Sequence, residues 1–206
     1  MRILSIACGL LLATCTWAPL SAGQFNDVLS INDVAPAWVD LPGVDGKTHS
    51  LADWKDKPLV VVVFTCNSCP VSNDYEDRIN AFAKKHAADV AVIAINVNTV
   101  AADKLPKMQE RAKEKKYVFP YLYDESQKIG KAYGAAFTPE FFLLNKERKV
   151  VYMGGMDDNS DPEIVKHHYL EDAVQATLKG EKPATAETVS IGCRVRYVSE
   201  RRKKSS

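Results

Sequence analysis

The chain has 206 residues, of which 46% are hydrophobic and 26% charged, and a formal net charge of +1. That length supports one domain with a substantial core and is short for two. The composition is that of a soluble globular protein, which argues against a disordered or membrane-embedded chain and offers no basic surface to nucleic acid. Positive charge gathers only in Arg201-Arg202-Lys203-Lys204, a short terminal run that reads as a solvated tail.

The first residues have the pattern of a targeting segment: Arg2, an apolar run over 3–13, then Pro19-Leu20-Ser21-Ala22-Gly23 with small residues at the cut. The apolar run is shorter than the roughly 20 residues that a membrane span requires. The expectation is therefore a signal peptide over 1–22, no membrane span, and an exported protein, periplasmic or secreted. The alternative is a lipoprotein, since Leu12-Ala13-Thr14-Cys15 loosely matches a lipobox with Cys15 as the lipid carrier. Of the five cysteines, Cys8 and Cys15 leave with a cleaved signal, and Cys66, Cys69 and Cys193 remain. Three are too few to staple a chain of this length, so the core must hold the fold.

The domain begins at Asp33 and runs to Gly180, with a tail over 181–206. Two short extended pieces, 38–41 and 48–51, flank the Asp45-Gly46 turn and read as a hairpin. After a polar connector, 59–64 is a continuous β-branched run, the pattern of a strand buried on both faces. From Pro70 onward Val71, Tyr75, Ile79, Phe82 and Ala83 recur at helical spacing. A second apolar strand covers 90–97, a charged surface helix 104–116, and a short helix 124–133, stopped by Gly134. Residues 141–144 and 150–153 flank the turn 145–148 as a second hairpin, and a last helix spans 162–178. The alternating pattern at 189–198 suggests one short added strand. A strand–helix–strand unit followed by a hairpin gives an α/β domain with a mixed central sheet and helices on both faces.

Cys66-Asn67-Ser68-Cys69 therefore sits where a buried strand hands over to a helix. Such a pair can bind zinc, form a structural bridge or carry out thiol exchange. Structural zinc requires four ligands, and no second pair of cysteines exists at similar spacing. Exchange requires a thiolate and a nearby resolving thiol, and a helix N-terminus stabilises the thiolate through its free N–H groups. Exchange is the reading that the context favours. The four histidines, His49, His86, His167 and His168, show no ligand spacing to the pair and read as surface residues.

Cys66-Asn67-Ser68-Cys69-Pro70, Tyr75-Glu76-Asp77-Arg78, Phe119-Pro120-Tyr121-Leu122-Tyr123-Asp124, Thr138-Pro139-Glu140-Phe141-Phe142 and Ile191-Gly192-Cys193 together carry a resemblance. Over roughly 33–197 the chain resembles the exported bacterial redoxins of the thioredoxin superfamily, its AhpC/TSA-like branch. The resemblance implies a thioredoxin-like fold and a thiol-disulfide oxidoreductase with catalytic Cys66 and Cys69. It also implies a cis-proline at Pro139, with Thr138 offering backbone groups to an incoming peptide. The partners are then a disulfide-containing protein substrate and an upstream thiol electron donor, with no cofactor and no metal.

Three positions depart from that pattern. Six residues before Cys66, where thioredoxins place a buried aspartate, this chain has Val60; Glu140 is the substitute candidate for proton acceptor, or else a solvated carboxylate at a strand end. Phe137 stands where relatives carry a further cysteine. Ser68 stands where they carry a histidine, which removes a cation from beside Cys66 and favours a reductase or isomerase over a strong oxidase. Cys193 is either an extra thiol, forming a relay, resolving or intersubunit disulfide, or a small buried residue. The rival readings are a thiol peroxidase, a copper-carrying module and a binding platform without turnover. A peroxidatic cysteine follows its threonine by three positions, whereas Thr65 is one before Cys66 and four before Cys69; no histidine stands at 137–140 to complete a copper site.

Overall fold

The computed structural model describes residues 23–198, so the expected signal peptide, the lipobox-like Cys15 and the basic run 201–204 lie outside the described residues. Among the described residues no helix is long and apolar enough to cross a membrane.

The first hairpin is reduced to β1 (Leu41–Pro42) and β2 (Thr48–His49), paired antiparallel around Gly46 at φ +78°. Trp38 is drawn out of the expected strand into the core, and Leu51–Trp54 winds into a 3-10 turn in which Asp53 accepts the Ser50 backbone N–H at 2.9 Å. β3 (Leu59–Phe64) is buried along its whole length. Successive side chains of a strand point to opposite faces. Leu59, Val61 and Val63 accordingly meet Tyr75, Ile79 and Phe82 on one face, while Val60, Val62 and Phe64 meet Trp38, Tyr133 and Phe142 on the other.

After β3 come α1 (Pro70–Lys85), β4 (Val90–Asn96), α2 (Leu105–Glu114) and β5 (Tyr121–Tyr123). Then follow α3 (Lys128–Tyr133), β6 (Phe137–Thr138), β7 (Glu140–Leu144) and β8 (Val150–Gly154). The last elements are α4 (Tyr169–Leu178) and β9 (Cys193–Arg194). The central sheet runs β5-β4-β3-β7-β8, parallel across the first three strands and antiparallel across the rest. One hydrophobic cluster under α1 and α4 and a second under α3 fill its two faces. The mixed sheet covered on both faces is the architecture that the element order implies.

Three further elements differ from the expectation, each for a local reason. β5 is three residues long, too short to carry a period of its own. α3 starts four residues later than 124, because Asp124 turns its carboxylate back to accept the N–H groups of Ile129 and Gly130, and Gln127 adopts a left-handed φ of +60°. α4 starts at Tyr169 rather than 162: Pro162–Ile164 makes a single 3-10 turn, and Asp158 then holds the Lys166 and His167 N–H groups. The described part of the tail, 181–198, is folded onto the body. Its backbone pairs with Met153 at Glu187, and the short strand expected within 189–198 is β9, which lies antiparallel to β6 with Cys193 opposite Thr138.

Candidate active site

β3 ends at the centre of the sheet and Thr65 links it to the Cys66–Cys69 turn. The helix does not begin at Cys66. It begins at Pro70, with Cys69 as N-cap at φ −93°, ψ 115°. Proline bars the residue before it from the helical region, so Cys69 is held extended, and proline itself fits the first helical position because its missing N–H is not needed there. Cys69 therefore caps the helix from outside it, its sulfur accepting the Ser72 N–H at 3.3 Å.

The two sulfurs face the loop that precedes β7. The Cys69 thiol donates to the Thr138 carbonyl at 3.1 Å, and the Cys66 sulfur lies 3.6 Å from Thr138 Oγ1. The Thr138–Pro139 peptide bond is cis. Cys66, Cys69 and Cys193 are all free thiols. Cys69 is held well below the usual thiol range, first by the hydrogen bond from Cys66, against the effect of burial and with help from Cys193. Cys66 is pushed up by that same bond, then by burial and by the Asp103 carboxylate. The pair gives up one proton readily and keeps the other. Cys193 is pushed up to about 11, chiefly by its hydrogen bond to Cys69.

Asp103 escaped the sequence reading. It is fully buried in the 3-10 turn Ala101–Asp103 and grips the dipeptide between the cysteines: Oδ1 accepts the Ser68 N–H at 2.9 Å and Oδ2 the Ser68 hydroxyl at 2.6 Å. Ser68 Oγ in turn stands 3.7 Å from the Cys66 sulfur. Asn67 is fixed from the same side, donating to the Ala102 carbonyl at 3.0 Å and accepting from Tyr121 at 3.2 Å. The available signal was Asn96 and Asn98, polar residues at the end of an apolar strand and both buried; Asn96 donates to the Asp103 carbonyl at 2.7 Å.

Glu140 is buried, and its carboxylate accepts the N–H groups of Ala136 and Phe137 at 2.7 and 3.0 Å. Those bonds hold the loop that carries Thr138; the hydrogen bonds of Glu140 reach no thiol. Burial pushes its carboxyl above the usual range, against those two N–H donors. An acid raised on folding stabilises the fold most at low pH, and that contribution declines as pH climbs from the ordinary carboxyl range to the raised value. Glu140→Gln, which keeps an acceptor and removes the charge, is expected to retain or raise stability at neutral pH in urea unfolding. Glu140→Ala should cost about 1–3 kcal/mol by stranding the two N–H groups.

Val60 points into the cluster on the far side of the sheet from α1. His49 bonds to Asp45, His86 to Glu171, and His167 stacks on Tyr169; none touches the dithiol. Among the described residues no group of three or more His, Cys, Asp or Glu side chains is arranged to hold a metal ion.

A mixed five-stranded sheet that ends its central strand at a dithiol, with a cis-proline loop opposite, defines a thioredoxin-fold protein. Residues 30–168 match the Redoxin family, and the chain belongs to it. It is 25% identical over 126 residues to the thiol-disulfide oxidoreductase ResA of Geobacillus thermodenitrificans, covering 59% of this chain and 67% of that one. A hypothetical protein of Sinorhizobium meliloti 1021 shares its structure at a TM-score of 0.78 and 36% identity, over 85% of this chain and 98% of the other. The fold is also that of a thioredoxin-like protein solved in its oxidised form, at a TM-score of 0.52 and 17% identity over 61% and 80% of the two chains.

Proposed function

We propose that the chain is a thiol-disulfide oxidoreductase that uses Cys66 and Cys69 to reduce or exchange disulfides of protein substrates outside the cytoplasm. The observation that supports the reading is a pair of free thiols at the end of the central strand, both turned to Thr138 beside the cis-proline. Cys69 caps α1 and is held between the Ser72 N–H and the Thr138 carbonyl, and Cys66, which precedes it in the turn, is assigned as the attacking sulfur. Cys66 passes its proton to Cys69 and attacks a substrate sulfur; a mixed disulfide forms and one substrate thiolate leaves. Cys69 then gives the proton to the first substrate thiolate and attacks the Cys66 sulfur, closing the Cys66–Cys69 bond and releasing the second substrate thiolate. Two electrons pass to the substrate, and an upstream thiol donor restores the dithiol. Thr138 offers the docking backbone. Asp103, through Ser68, is the carboxylate that acts on Cys66, while Glu140 holds the loop. The extracytoplasmic setting rests on the targeting pattern of residues 1–22.

A redox titration against a glutathione series, read by the alkylation mass shift of the peptides carrying Cys66 and Cys69, tests this. Reversible closure of that pair is the expected result. A pair that never closes while the chain stays folded overturns the reading.

A further inference from the structure

The described part of the tail reaches the dithiol site. β6 is a two-residue strand outside the central sheet, and its antiparallel partner is β9, with Phe137 opposite Arg194 and Thr138 opposite Cys193. The pairing is extended by the Val195 N–H on the Ala136 carbonyl at 2.9 Å and by the Thr138 hydroxyl on the Cys193 carbonyl at 3.4 Å. Gly192 lies directly on the Thr138–Pro139 peptide group: a Cβ at that position would come within 2.0 Å of the Thr138 carbonyl oxygen. Only glycine permits that approach, so the fit between tail and loop is made at backbone contact. β9 also packs against α1, whose N-cap is Cys69.

The dithiol beside this pairing is covered. Cys66 is 3% exposed and Cys69 1%, although exchange demands access to a substrate sulfur. An exposed strand edge pairs with any chain that presents its backbone to it, and here the chain's own tail has taken that edge. It brings a third thiol with it, since Thr138 touches all three cysteines: its carbonyl meets the Cys69 thiol, its hydroxyl meets the Cys66 sulfur and the Cys193 carbonyl, and its backbone pairs with Cys193.

We propose that β9 lies in the substrate groove as an in-chain substrate, and that Cys193 is a third redox centre that takes over the disulfide from the dithiol as a Cys69–Cys193 bond. The inference rests on the oxidoreductase reading for the first disulfide and for nothing else. Cys193 thiolate attacks the Cys69 sulfur of the Cys66–Cys69 bond; the Cys69–Cys193 bond forms as the Cys66–Cys69 bond breaks. Cys66 leaves as thiolate and takes the proton that Cys193 released. The exchange is isoelectronic, with one disulfide before and one after, and consumes no oxidant. It leaves Cys66 free at the outer end of the turn while the oxidising equivalent is stored beneath the tail.

The test is disulfide mapping on the full chain: incubation in an oxidising glutathione buffer, alkylation of free thiols, digestion, and mass spectrometry of the linked peptides. Wild type, Cys66→Ala, Cys66→Ser and Cys193→Ser are compared. In both Cys66 variants the peptides of Cys69 and Cys193 are expected to appear joined within one chain, with loss of both alkylation adducts. Retention of both adducts in both variants, under conditions where the wild type closes its Cys66–Cys69 pair, overturns the proposal. So does a Cys193–Cys193 link between chains. Failure of Cys193→Ser to close Cys66–Cys69 overturns the oxidoreductase reading instead, and the Cys66 variants still report on the tail by themselves.

Discussion

Cys69→Ala is expected to hold a disulfide-bonded protein substrate as a stable mixed disulfide on Cys66, visible as a covalent adduct on a non-reducing gel and released by dithiothreitol. Cys69 is the sulfur placed to resolve a mixed disulfide at Cys66, since both sulfurs face Thr138 from the same turn. Turnover with a thiol donor should fall by about three orders of magnitude or more, the scale seen when an enzyme loses a residue of its covalent machinery. Cys66→Ala should lose turnover to the same extent and trap nothing. The reverse pattern, a trap in Cys66→Ala and none in Cys69→Ala, would reassign the attacking sulfur to the helix cap, where the Ser72 N–H already supports a thiolate.

Much of this frame was legible because it is written in periodicity. The run 59–64 reads as a doubly buried strand, and it is one; the repeat Val71, Tyr75, Ile79 and Phe82 reads as a helix face, and three of the four are buried on it. The hairpin around 145–148 follows from turn residues between two apolar runs. What escaped the reading was set by single hydrogen bonds across long stretches of chain. Asp103 reads as one more charge in a polar stretch, and only the fold brings it beneath Ser68. α1 begins at Pro70, where the helical repeat begins, and the proline keeps Cys69 outside the helix as its cap. Cys193 was visible as an odd thiol and the alternation at 189–198 as a short strand, but the pairing of that strand with Phe137–Thr138 and the close glycine contact depend on residues distant in the chain and leave no local pattern.

Asp103→Asn is expected to shift the pH profile of dithiol alkylation towards acid, with reaction about tenfold faster below the wild-type midpoint, the factor that accompanies one unit of pKa. Two effects act in the same direction. Asn removes a buried negative charge that opposes ionisation of Cys66. It also reverses the Ser68 hydrogen bond. In the wild type the Ser68 hydroxyl proton is committed to Asp103 Oδ2 at 2.6 Å, so only a lone pair remains for Cys66. In the variant, Oδ1 still accepts the Ser68 N–H while the amide Nδ2 donates to Ser68 Oγ, and the freed hydroxyl proton can point at the Cys66 sulfur and support its thiolate. Asp103→Ala separates tuning from support: it removes the charge as well but strands the Ser68 N–H, and should cost about 1–3 kcal/mol in urea unfolding. Ser68→Ala in the Asp103→Asn background isolates the hydroxyl, since it should return part of the acid shift and keep the rest. If Asp103→Asn leaves the alkylation profile where it was and lowers only stability, Asp103 is a clamp on the turn and not a tuner of the dithiol.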